Sequence, residues 1–195
     1  MLSLAYRAPR RARGTSLVEV LVTLMILAFG LLGIAGLQTK MGVAEMESYQ
    51  RAQALLALSQ MTERMSADTA QAAGYVTAGT LGTGDNQPAT CTGIAPGPNF
   101  DLCEWSNTLK GAAEQSAGAK VGGMVGALGC ITQVQAPNPA LGVCTTGVYQ
   151  VSVAWQGMVP TATPALACGA GAYGANDAFR RVIAATVSVP TTSCY

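Results

Sequence analysis

Hydrophobic positions are distributed unevenly along the chain, and their spacing changes twice. From Leu17 to Leu37 the sequence reads LVEVLVTLMILAFGLLGIAGL, nearly unbroken apolar character with one charge, Glu19, and one hydroxyl, Thr23. About 20 such residues as a helix cross ~30 Å of hydrocarbon, so this stretch predicts a membrane-spanning helix. From Gln38 to about Ala73 there is no proline, and Leu55, Leu58, Met61 or Thr62, and Met65 recur every three to four residues. That is the stripe of an amphipathic helix, with Glu47 and Arg51 placed for an i,i+4 pair on its polar side. Beyond Gly74 the period shortens to two. Tyr149, Val151, Val153 and Trp155 alternate with Gln150, Ser152 and Ala154, which predicts a half-buried strand. Cys130–Gln135 and Arg180–Val189 are the other strand candidates, the latter with Arg181, Ile183, Ala185, Val187 and Val189 on one face.

Between these elements the chain is rich in Gly, Ala, Thr and Pro. Residues 74–98 carry turn signals, residues 100–110 predict a short helical turn, and Gly111 to Gly129 reads as a flexible connection. Ala136 to Gly142, with two prolines, suits a hairpin connection. The expectation is an α+β fold. A long N-terminal helix packs its second half on an antiparallel sheet, in four stretches: residues 1–14, 15–37, 38–73 and 74–195.

Charge sharpens the N-terminal reading. The chain has 11 Lys+Arg, 10 Asp+Glu and no His, for a formal net charge of +1. Arg7, Arg10, Arg11 and Arg13 all precede the apolar run, and no acid accompanies them. A basic flank predicts a cytoplasmic N-terminus and an exported C-terminal part. A cleaved secretory signal would have a shorter apolar core followed by a small-residue site. Here the run is longer, the small residue precedes it, and helical periodicity continues beyond it. The near-neutral net charge argues against a nucleic-acid-binding domain.

Glu19 is the unusual residue. A carboxylate in an apolar helix is costly, and within a membrane it is by default a functional candidate. Ser16-Leu17-Val18-Glu19 also fits a capping box, and an acid in the first turn complements the helix dipole. The two roles are compatible. Gly30, Gly33, Gly36 and Gly42 are poor helix formers in water, but small residues at such spacing suit close helix contact in lipid.

Arg13-Gly14-Thr15-Ser16-Leu17-Val18-Glu19-Val20-Leu21-Val22 resembles the class III leader and N-terminal helix of type IV pilins and pseudopilins. The continuation Gly30-Leu31-Leu32-Gly33-Ile34-Ala35-Gly36-Leu37-Gln38 is similar to minor pilins of the type IV pilus modification protein PilV family. The likeness is strong over roughly residues 10–66, and in pattern only beyond. It implies a pilin fold, and cleavage by prepilin peptidase after Gly14, with Thr15 becoming an N-methylated first residue. It also implies that Glu19 meets the freed amine of a neighbouring subunit. Two groups desolvated together neutralise each other, whereas either alone is expensive. Thr15 stands where many pilins have Phe. The implied partners are other minor pilins and the major pilin, first in the inner membrane with the head periplasmic, then in a surface fibre. A type II secretion pseudopilin is the alternative within the family. An anchored exported binding domain that never polymerises is the alternative outside it.

Cys91, Cys103, Cys130, Cys144, Cys168 and Cys194 all lie on the exported side, where an even count predicts disulfides. Shortest loops give Cys91–Cys103, Cys130–Cys144 and Cys168–Cys194. No CxxC pair and no His point to a metal. Catalysis without His would need a Ser beside Lys40, Lys110 or Lys120, or Thr15 using its own amine, and none lies in a recognisable motif. Asp85, Asp101, Glu104, Glu114 and Asp177 are scattered without paired spacing. A non-enzymatic chain without cofactor is expected.

Overall fold

The computed structural model describes residues 14, 16–111, 115–116, 119–120, 123–140 and 142–190, with backbone alone at 115–116 and 119–120. Two compact units divide it, residues 1–43 and 44–195. Helix α1 (Leu17–Ala67) begins in the first and ends in the second. The first unit, where described, is this helix and its entry at Gly14 and Ser16.

The second unit is an α+β head of pilin-like fold. Its elements after α1 are a 3-10 helix (Thr69–Tyr75), β1 (Leu81–Gly82), α2 (Pro98–Leu109), β2 (Gln115–Ser116), β3 (Ala119–Lys120), β4 (Leu128–Gln135), β5 (Gly147–Gln156), a 3-10 turn (Ala175–Asp177) and β6 (Arg180–Val189). The main sheet is antiparallel in the order β1-β4-β5-β6, with Ile131 opposite Val151 and Val151 opposite Ala185. β2 and β3 form a separate small pair inside the stretch expected to be a plain connection.

Helix α1 stops at Ala67, earlier than the expected Ala73. Asp68 leaves helical geometry (φ −119°, ψ 62°) and the chain winds on as a 3-10 helix. That break sets Tyr75 in the core, where its hydroxyl donates to Asp101 Oδ2 at 2.6 Å. Arg64 Nη1 donates to the other oxygen at 2.7 Å. One carboxylate on α2 thus ties down both the last turn of α1 and the segment after it.

The buried stripe of α1 is Gln50, Ala54, Ala57, Leu58, Met61 and Met65. Leu55, expected inside, is 51% exposed. Two alanines displace the stripe because α2 comes close: the Trp105 indole N–H donates to the Ala57 carbonyl at 2.8 Å. Trp105 is itself fully buried, and a Cβ on Gly129 would sit 2.4 Å from its ring, so the sheet meets α2 through a glycine. Glu47 does not pair with Arg51. Its Oε1 accepts instead from Arg181 Nη2 at 2.9 Å and from the Met158 N–H at 3.0 Å, joining the helix to β6 and to the loop after β5.

Strand β5 is buried on both faces, not one. Tyr149, Val151 and Val153 face the helices, while Ser152 and Ala154 lie under the segment 164–173. Arg180, 3% exposed, holds that segment by donating to the carbonyls of Pro164, Leu166 and Cys168. Tyr173 OH donates to Gly126 O at 2.7 Å. Asp177 Oδ2 lies 3.1 Å from Arg180 Nε and also accepts from the Gly171 N–H. The same covering corrects the disulfide pattern. Cys91 bonds Cys103, but Cys130 bonds Cys168, which overturns both Cys130–Cys144 and Cys168–Cys194. Cys144 is also disulfide-bonded, and Cys194 lies outside the described residues. The shortest-loop rule fails because Cys130 points to the face that 164–173 covers. A bridge over 38 residues also constrains the unfolded chain more than a short one.

Asp85 organises the turn after β1. It accepts from Ser106 Oγ at 2.6 Å and from the Gly82 and Gln87 N–H groups, and it pairs with Lys110. Burial pushes its carboxyl up, but donation by Lys110, Ser106, Gly82 and Gln87 outweighs this and holds it below the usual range. A carboxyl depressed on folding stabilises above its unfolded pKa of about 3.9, and this is lost as pH falls through the lower folded value. Asp85→Asn, read by urea unfolding of the full chain in detergent, should therefore cost about 1–3 kcal/mol at pH 7 and flatten the acid-side decline. An unchanged acid slope would contradict this. Peptide mapping without reductant should recover Cys91 linked to Cys103 and Cys130 linked to Cys168. A Cys130–Cys144 peptide would refute the arrangement.

Candidate functional site

The residues singled out by sequence gather at the start of α1. Ser16 precedes the first turn, and its carbonyl accepts from the Glu19 and Val20 N–H groups at 3.0 and 3.2 Å. No side-chain bond closes a capping box between Ser16 and Glu19 among the described residues. The Glu19 carboxylate is exposed and has no partner there. Gly14 is exposed as well, while Thr15 and the leader 1–13 lie outside the described residues.

From Leu17 to Leu37 the helix is apolar on every side, and nothing among the described residues covers it. The most apolar window has a mean hydropathy of 2.6 with none of it buried. Leu17 is 78% exposed and Phe29 68%. Its hydroxyls are satisfied within the helix: Thr23 Oγ1 donates to Val20 O at 2.8 Å and Thr39 Oγ1 to Ala35 O at 3.1 Å. Such bonding lets a hydroxyl enter lipid without an orphan donor. Gly30, Gly33, Gly36 and Gly42 are not required by packing among the described residues, since a Cβ on any of them would meet nothing there within 4 Å. A glycine that costs helix stability of about 1 kcal/mol and relieves no internal clash is suited to an external neighbour.

The head offers little chemistry by comparison. Among the described residues no cluster of His, Cys, Asp or Glu could hold a metal. Ser106 and Lys110 do converge, but both bind Asp85 and Ser106 is fully buried, so the hydroxyl is held as a donor. Asp101 and Asp177 are each committed to an arginine. Glu114 and the side chain of Lys120 lie outside the described residues. Lys40 is exposed on α1. Sequence reasoning missed the Arg180 clamp because its acceptors are main-chain carbonyls, which leave no residue signature.

Residues 9–35 match the family described as the prokaryotic N-terminal methylation motif. The start of the chain carries a pilin-like motif. The match takes in Arg10, Arg11, Arg13, Gly14, Glu19 and most of the uncovered apolar helix, and it indicates a type IV pilin-like or pseudopilin protein. Such a leader implies processing by prepilin peptidase and assembly with other pilins, and the proteins that carry this motif are structural. With the apolar helix it implies membrane anchoring before the pilus. No curated protein and no solved structure matches the chain.

Proposed function

We propose that this chain is a minor pilin of a type IV pilus, entering the fibre or the complex that initiates it. Prepilin peptidase cuts after Gly14 and Thr15 becomes the N-methylated first residue. The chain waits in the inner membrane with its head periplasmic, and then meets other minor pilins and the major pilin helix to helix. Glu19 pairs with the new amine of a neighbour, where two desolvated charges cancel. The observation that carries the reading is the exposed Glu19, without a partner among the described residues, at the head of an apolar helix that those residues leave uncovered. The segment Gly30-Leu31-Leu32-Gly33 followed by Gly36-Leu37-Gln38 supports a pilus over a secretion pseudopilus.

Glu19→Ala tests it in the cells that make the protein. The wild-type chain should appear in sheared surface fibres, and the variant should stay in the membrane fraction at equal abundance. Equal recovery of both in fibres would refute the role of Glu19. Absence of the wild-type chain from fibres, with protein secretion lost on its deletion, would refute the pilus reading in favour of a pseudopilus.

A further inference from the structure

The two edges of the main sheet are finished differently. The β4 side is guarded: β1 pairs Leu81 with Gly129 and Gly82 with Leu128. One step further, the Thr77 N–H donates to Ile131 O at 3.0 Å, and Thr77 Oγ1 accepts from the Ile131 N–H at 3.1 Å. Among the described residues the β6 side has no such cover. Gly157 N–H donates to Phe179 O at 2.7 Å, one register step beyond the pair Gln156–Arg180, and this fixes the phase of the ladder. Odd-numbered residues of β6 then bond β5, and the N–H and C=O groups of Val182, Ala184, Thr186 and Ser188 point away from it. None of these groups has a hydrogen-bond partner among the described residues. Open edges are normally short, charged, bulged or covered. Among the described residues this one carries none of those devices: from Val182 onward it reads VIAATVSV, without charge or proline, and its pairing with β5 is unbroken.

Beside the start of this edge lies a cavity of about 380 Å³, between α1 (Glu47, Ser48, Arg51) and Trp155, Arg181 and Ile183 of the sheet. Glu47 neutralises Arg181. Arg51 has no ion pair or hydrogen bond among the described residues and is exposed. The cavity therefore holds one uncompensated positive charge, next to a row of unpaired main-chain donors and acceptors.

We infer that the outer edge of β6 accepts an extended strand from another exported polypeptide, with an acidic side chain of that strand reaching Arg51. Main-chain bonding to Val182, Ala184, Thr186 and Ser188 supplies the binding. Every second side chain of the incoming strand enters the cavity against Trp155 and Ile183, and charge selects the acid. The inference concerns the head alone and stands or falls independently of the fibre reading.

Amide hydrogen exchange on the full chain in detergent tests it. The probes are a synthetic peptide of alternating Thr and Val with one central Glu, and the same peptide with Lys in its place. With about nine-tenths of sites filled by the Glu peptide, exchange at those four amides should slow about tenfold. The Lys peptide should bind more weakly, and Arg51→Glu should reverse the preference. Ala184→Pro removes an N–H that makes no bond to β5, so it should abolish protection while Val151 and Val153 stay protected. No slowing with either peptide overturns the inference. Equal binding of the two overturns the acidic preference. Concentration-dependent protection without peptide would assign the edge to a second copy of this chain, and would also overturn it.

Discussion

The constraint on which the rest depends is the apolar surface of α1 between Leu17 and Leu37, which the described residues leave bare. Each Leu, Ile, Val, Phe or Met withdrawn from water is worth about 1.5–3 kcal/mol, and this stretch consists mostly of such residues. No folded chain gains by leaving that surface in solvent, so lipid or other helices must take it up. Glu19 adds a second requirement. In lipid its charge needs a partner, and Ser16 does not supply one by side-chain bonding. Four glycines with open space where a side chain would stand add a third, since they offer an approach that only an external neighbour can use.

The head answers a different problem. It is rich in glycine and alanine and has few large aromatics, so burial alone is a modest source of stability. Specific ties make up the difference: Asp101 on Arg64 and Tyr75, Asp85 on Lys110 and Ser106, Arg180 on three carbonyls, and the Cys130–Cys168 bridge. Each fastens an irregular segment to a regular one. Residues 164–173, which have no periodicity of their own, become the second cover of β5 through Arg180, Tyr173 and Cys168.

Much of this was legible in the sequence where periodicity carried it. The apolar run, the long helix, α2, β4, β5 and β6 all follow from spacing, to within a few residues at their ends. The failures share a cause. The helix end at Ala67, the rotation of the buried stripe away from Leu55, and the partner of Glu47 are decided by contacts from distant parts of the chain. Asp101, Trp105 and Arg181 make those contacts, and local pattern does not encode them. Of the expected disulfides Cys91–Cys103 held, and the other two failed for a related reason: loop length says nothing about which face of a strand a cysteine occupies. For the candidate site, the motif that contains Gly14 and Glu19 was readable because it is local to one short stretch. The β6 edge was not, since it depends on which strands the described residues place beside it.

The intact mass of the chain extracted from membranes, expressed with and without a prepilin peptidase, tests the central claim most directly. The account predicts that the peptidase removes residues 1–14 and that Thr15 then carries one added methyl group. A full-length chain that keeps its arginines in both preparations would contradict it, and would leave a single-span anchored head whose Glu19 has no fibre to join.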